Sequence, residues 1–325
     1  MRYQSLIFAL ALLVLSPISP LVAQDEIKLD PAEAKITTVS AMRARRAPQV
    51  TAEEIMRLKL GTVVNAIARS TNQDTIGGKT DYWYRVSLPN GETGWLFGGL
   101  LFDYTARQRE TLLGRIIEAR LQAVNTEFAD RQEIYNLAAS SIKEAKDVST
   151  RAEFELLKLL ALANWATTFT DDRGGEWRKA HAAEVIPNEF GGGYNLRSEL
   201  LWNLEARYHT LPIADRIAWA AAENPQPSDC EGDEVCHFFV FAPAIKYLSL
   251  HPNGAHATEA LKNLNEMLTD EVIKTANGKG GDKYVVEQRT DLKKLLASLR
   301  LAIAKTSAPG KAELLKKLER ITPTR

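Results

Sequence analysis

The sequence predicts a multidomain chain in which a small all-β barrel is followed by an all-α helical array or bundle, after an N-terminal signal peptide. Three observations carry that reading. Between Ile36 and Asp103 apolar residues come in short alternating runs broken by turn signals, whereas after Tyr104 they recur at helical spacing. The chain also opens on a short apolar run behind a positive start.

The first residues argue for export. Arg2 stands beside the free amine, the apolar run Leu6 to Leu15 follows, and Pro17 and Pro20 lead to the small residue Ala23. These are the three parts of a secretory signal, predicted over residues 1–23. The apolar run falls short of the roughly 20 residues that span a bilayer, and no later stretch is apolar enough to do so. The mature chain is therefore expected in the periplasm or outside the cell. An uncleaved anchor is the alternative.

Residues 24–35 read as a linker, and 36–103 as the barrel. KITTVSAM and LGTVVNAIA alternate, and DYWYRVSL is rich in aromatic and β-branched residues. Asn90-Gly91 marks a two-residue hairpin, since both turn positions must tolerate positive φ. The polar stretch Ser70 to Thr80, with Gly77-Gly78, reads as a loop. About five short strands result.

Five aromatic residues crowd between Asp81 and Leu101. Alternation along a strand puts Tyr82, Tyr84 and Val86 on one face and Trp83 and Arg85 on the other. Tyr84, Val86 and Leu96 are assigned to the interior. Trp83, Arg85, Trp95 and Phe97 are then candidates for a partly exposed ligand-binding platform. Alternatively, both tryptophans close the barrel ends, because a very small core needs large rings.

The segment resembles the bacterial SH3-like (SH3b) family. The opening VSAMRARRAP matches at Arg45 and Pro48, with Arg43 where the family usually has Asn. The middle LKLGTVVNAI carries the family's leucine, glycine and alternating valines. The close WYRVSLPNGETGWL matches at Trp83, Val86, Gly91, Gly94 and Trp95. The resemblance covers about a fifth of the chain. It implies a targeting module whose partner is a cell-wall component or an envelope protein or peptide.

From residue 104 to 325 the pattern is helical. Leu112, Leu113, Ile116, Ile117 and Leu121 form one apolar stripe, and Ser149 or Thr150 with Glu153 reads as a helix cap. Gly, Pro and Asn clusters separate about ten such stretches. AIKYLSLHPNGAHATEALKNLNEML resembles the helical hairpin of tetratricopeptide-like repeats, without a fixed period of 34 residues. A hairpin array and an irregular bundle both fit.

Chemistry is sparse. Lysine plus arginine equals aspartate plus glutamate at 41 each, which argues against a nucleic-acid partner. In an oxidising compartment Cys230 and Cys236 are expected to pair, closing a small loop worth about 2 kcal/mol. His181 and Glu184 have metal-compatible spacing, as do Glu234 and His237, but no third ligand is signalled. The acidic loop Asp229, Glu231, Asp233 and Glu234 lacks the spacing of a calcium loop. His209 and His251 read as structural. Neither a catalytic residue, a metal site nor a cofactor is assigned. The favoured expectation is an exported, non-catalytic cell-envelope protein with a binding barrel and a helical scaffold. The alternative is a cell-wall hydrolase or metal-dependent enzyme that uses the barrel for targeting.

Overall fold

The computed structural model describes residues 26–123, 127–169, 175–188, 192–224, 242–277 and 289–322, the side chains of 289–292 excepted. The signal segment 1–23, the Cys230–Cys236 pair, the acidic loop between them and His237 lie outside the described residues.

Among the described residues the N-terminal region is one antiparallel sheet of seven strands. They are β1 (Glu26–Thr37), β2 (Met42–Arg45), β3 (Glu54–Leu58), β4 (Val63–Ile76), β5 (Lys79–Ser87), β6 (Thr93–Phe97) and β7 (Leu101–Asp103). Their order is β3-β2-β6-β5-β4-β1-β7. Two expectations are corrected here. Residues 26–35 are not a linker: they form most of β1, which pairs with β4 from Glu26↔Ser70 to Ile36↔Val63. Nor is Ser70 to Thr80 a loop. It is the far end of the β4–β5 hairpin, and pairing runs to Ile76↔Lys79 around Gly77-Gly78, whose φ values are +58° and +78°. Only glycine populates that turn without strain. The Asn90-Gly91 hairpin is present, with Leu88 N–H donating to the Glu92 carbonyl at 2.9 Å.

Alternation along these strands fills the barrel. Met42, Ala44, Leu58, Val64, Ala66, Val86, Leu88 and Leu96 form its core, with Tyr84 packed at the margin. At the turn before β3, Arg45 Nη1 donates to the Ala52 carbonyl at 2.6 Å, whereas Arg43 faces outward and pairs with Glu54.

The helical region begins with α1 (Arg109–Leu121), α2 (Phe128–Glu144) and α3 (Val148–Ala166). The cap of α3 is Asp147, whose carboxylate accepts from Thr150 N–H at 2.9 Å, rather than Ser149 or Thr150. An acidic side chain two residues before Ser149 reaches the orphan donors and adds favourable charge at the helix start. The stretch GEWRKAHAAEV is helical only over α4 (Gly175–Ala180). It then turns into β8 (Val185–Pro187), which pairs with β9 (Tyr194–Leu196). Then come α5 (Ser198–Tyr208), α6 (Ala214–Ala222), α7 (Ala242–Leu250), α8 (Ala257–Met267), α9 (Asp270–Ala276), α10 (Arg289–Lys305) and α11 (Lys311–Glu319).

Three apolar clusters run along the chain and share helices. The first joins the foot of the barrel to the array: Ile36 and Leu60 pack with Leu113, Ile117, Ile134 and Leu157. Leu60 N–H also donates to Glu133 at 2.9 Å. Helix α3 contributes Leu156 and Leu162 to the second cluster, and α6 contributes Ile217 to the second and Ala218 to the third. The predicted hairpin of α7 and α8 is present within the third. Its turn is clasped to α6: Tyr247 donates to Asp215 at 2.7 Å, and Ala255 N–H donates to the same carboxylate at 3.1 Å. A Cβ on Gly254 would lie 1.8 Å from Asp215 Oδ1, so glycine is required by close approach.

Candidate functional site

Strand β5 decides which side chains of the barrel meet solvent. The tryptophan face does not. Trp83, Trp95 and Phe97 are only 3, 7 and 4 % exposed, and they pack with Ile76 and Leu100 in a cluster of their own. Trp83 meets Phe97 edge-on, with centroids 5.7 Å apart. The far arm of the β4–β5 hairpin contacts them: Trp83 Nε1 donates to Asp74 Oδ2 at 2.6 Å, and Ile76 packs alongside. Lys79 ties the arm's tip to the Gly99 carbonyl at 2.9 Å. The expected part-exposed platform is therefore corrected to a second, buried core. Alternation assigned the faces properly, but the covering arm was read as a loop. This aromatic cluster is also separate from the aliphatic contact between barrel and helices. Arg85, on the same face, is half-exposed and pairs with Glu26 at 2.6 Å.

The rings at the surface of β5 are Tyr82 and Tyr84, both half-buried. The guanidinium of Arg69, on the neighbouring β4, stands over Tyr82 with its carbon 4.0 Å from the ring centroid. Arg69 Nη1 has no hydrogen-bond partner. The Lys35 ammonium, from β1, lies 4.5 Å from the Tyr84 centroid and is held by Asp103 at 2.6 Å and Glu33 at 2.7 Å. Burial alone would lower the Lys35 pKa. The hydrogen bonds from Asp103 and Glu33 outweigh it and hold the group above its ordinary value. Burial pushes the Tyr84 hydroxyl up, against the pull of Lys35, so it stays a donor at neutral pH.

These residues form an edge of two rings about 7 Å apart, the rise of two strand residues, each backed by a cation. Such an edge offers ring surface, a phenolic donor and the Arg69 guanidinium, the Lys35 charge being offset by Asp103 and Glu33. It suits an extended backbone or a sugar chain rather than a compact apolar ligand. Sequence reasoning missed this edge because it depends on which face the hairpin arm leaves uncovered.

The histidine candidates among the described residues do not assemble a metal centre. His181 Nδ1 lies 2.7 Å from Glu184 Oε2, but the third group at that site is Lys158, whose ammonium is 3.2 Å from Glu184 Oε1. A cation there opposes a metal ion. Burial would raise the Glu184 pKa, but His181 and Lys158 hold it below the ordinary value, the wrong sense for a general acid. His251 pairs with buried Glu205 at 3.1 Å, and His209 meets the Ala206 carbonyl at 3.0 Å. Among the described residues no three His, Cys, Asp or Glu side chains converge in a way that could hold a metal ion.

Among the described residues no helix is long and apolar enough to cross a membrane. No curated protein and no solved structure matches the chain. The family model for the bacterial SH3 domain matches residues 40–102, which takes in β2 through most of β7 and leaves β1 as an addition to the matched unit. The sheet region is thus similar to a module of the kind that binds cell-wall components or peptides.

Proposed function

We propose that this chain is an exported, non-catalytic cell-envelope protein whose barrel binds a peptide or cell-wall strand along the Tyr82–Tyr84 edge. The helical array then serves as a scaffold for a second envelope partner. The observation that carries the reading is the pair of cation-backed tyrosines on a segment matching the bacterial SH3 domain. Trp83, Trp95 and Phe97 stiffen β5 from its other face instead of touching the ligand, and Arg85 lies on that other face, paired with Glu26. Export rests on the N-terminal residues. Removal of the leader after Ala23 leaves β1, which begins at Glu26, intact.

Retention of the purified mature chain on insoluble peptidoglycan and on envelope extract tests the proposal. Tyr82→Ala and Arg69→Ala lower retention at least fivefold, while Trp95→Phe retains near the parent level. Equal retention of all four proteins sinks the assignment of the edge.

A further inference from the structure

The helical array contains a cleft of about 320 Å³ bordered by α2, α3, α5 and the turn before β8. That volume is at the small end for organic-ligand sites, which run from roughly 300 Å³ upward. Its apolar lining comes from Ile142, Leu159, Leu200 and Leu204. Two ion pairs complete it, Lys158–Glu184 at 3.2 Å and Arg207–Glu155 at 2.7 Å. Glu155 and Lys158 sit one turn apart on α3, so the two pairs lie side by side along one helix.

Each carboxylate in the cleft is already paired with a cation. Both oxygens of Glu184 are engaged, by Lys158 and His181, and both oxygens of Glu155 are engaged, by Arg207 and Tyr208. The cations are not used up. An ammonium has three donors and a guanidinium five. Lys158 makes one carboxylate contact, to Glu184, with Tyr135 as its other hydrogen-bonding neighbour, and Arg207 makes one carboxylate contact with its side chain 58 % exposed. Burial would lower the Lys158 pKa, but Glu184 and Tyr135 raise it above its ordinary value, so the ammonium persists at neutral pH. The cleft therefore presents cationic donors with spare capacity over an apolar lining, beside carboxylates that are each already paired with a cation.

We propose that this cleft binds an aliphatic carboxylate, its carboxyl group bridging Lys158 and Arg207 and its apolar body lying on Leu159, Leu200 and Leu204. Two sources share that chemistry: the free C-terminal end of a peptide and a free short-chain organic acid. The site is independent of the barrel edge and stands whether or not that edge binds cell wall.

Calorimetric titration of the full mature chain tests it with three probes: N-acetyl-alanyl-leucine as the acid, the same dipeptide as its C-terminal amide, and hexanoate. The acid binds saturably and at least tenfold more tightly than the amide. Lys158→Met and Arg207→Met each weaken it at least tenfold. Leu200→Trp fills the cleft without removing a charge and abolishes binding, which separates occupancy from any effect of unpairing a carboxylate. Hexanoate binding as tightly as the dipeptide assigns the site to organic acids, and weaker binding assigns it to peptide ends. Equal affinity for acid and amide, saturable binding that survives Leu200→Trp, or no saturable binding by any probe overturns the proposal.

Discussion

The barrel and the helical array both bury aromatic rings, but they close over them differently. In the barrel, Trp83, Trp95 and Phe97 form a compact cluster contacted by a polar hairpin arm. In the array, Trp165 sits among Tyr135, Phe169, Trp177 and His181, and Phe169 stacks on Trp177 with centroids 4.1 Å apart. The barrel cluster has a satisfied indole, with Trp83 Nε1 donating to Asp74, whereas the buried indole nitrogens of Trp165 and Trp177 have no partner. The difference teaches that the barrel's Trp83 indole is fixed by a directional contact, whereas the array's Trp165 and Trp177 indoles are held by packing.

Variants probe that contrast from the largest effect downward. Trp165→Ala empties the centre of the array's ring cluster and is expected to cost about 3–5 kcal/mol by denaturant unfolding, the range for large aromatic truncations. A loss below about 1 kcal/mol would mean the cluster collapses freely and is not a packed core. Trp83→Phe keeps most of the ring and deletes the indole donor. It is expected to cost about 1–2 kcal/mol, because Asp74 loses its partner, and to raise amide hydrogen exchange at residues 70–80 above that at 54–58. Unchanged exchange in the hairpin arm contradicts the directional contact.

The smallest effect is electrostatic. Glu184 is held below its ordinary pKa by His181 and Lys158, against burial. A carboxylate with a depressed folded-state pKa stabilises the fold above its unfolded value, and that stability is lost as pH falls through the folded value. Thermal unfolding of the parent chain should therefore drop as pH falls from the ordinary glutamate range, near 4.5, toward the lowered value. Glu184→Gln should flatten that part of the curve. Identical slopes for the two proteins would show that the ion pair contributes nothing to folding.

Much of this structure was legible in the sequence, and particular residues show where legibility stopped. Asn90-Gly91, the alternation of Val64 and Ala66, and the stripe from Leu112 to Ile117 each carry local signals that no tertiary contact reverses. The Tyr247–Pro252–Gly254 turn was readable for the same reason. The hairpin arm was not, because Ser70 to Gln73 is polar on both faces, and period-2 patterning cannot mark a strand that buries little. β8 and β9, at three residues each, are too short to show any period. The cleft was invisible because its lining comes from positions between 142 and 207 whose only local signal is the spacing of Glu155 and Lys158. The tryptophans were assigned to the correct face and the wrong environment, since exposure depends on what a distant segment covers.

The central claim is that the barrel meets its ligand through Tyr82 and Tyr84 and not through its tryptophans. Nuclear magnetic resonance of the mature chain, titrated with solubilised peptidoglycan fragments, tests it directly. The account predicts concentration-dependent shifts at the Tyr82, Tyr84 and Arg69 amides, with the Trp83 and Trp95 indole signals unmoved. Shifts centred on those two indoles, with the tyrosine edge silent, would contradict it.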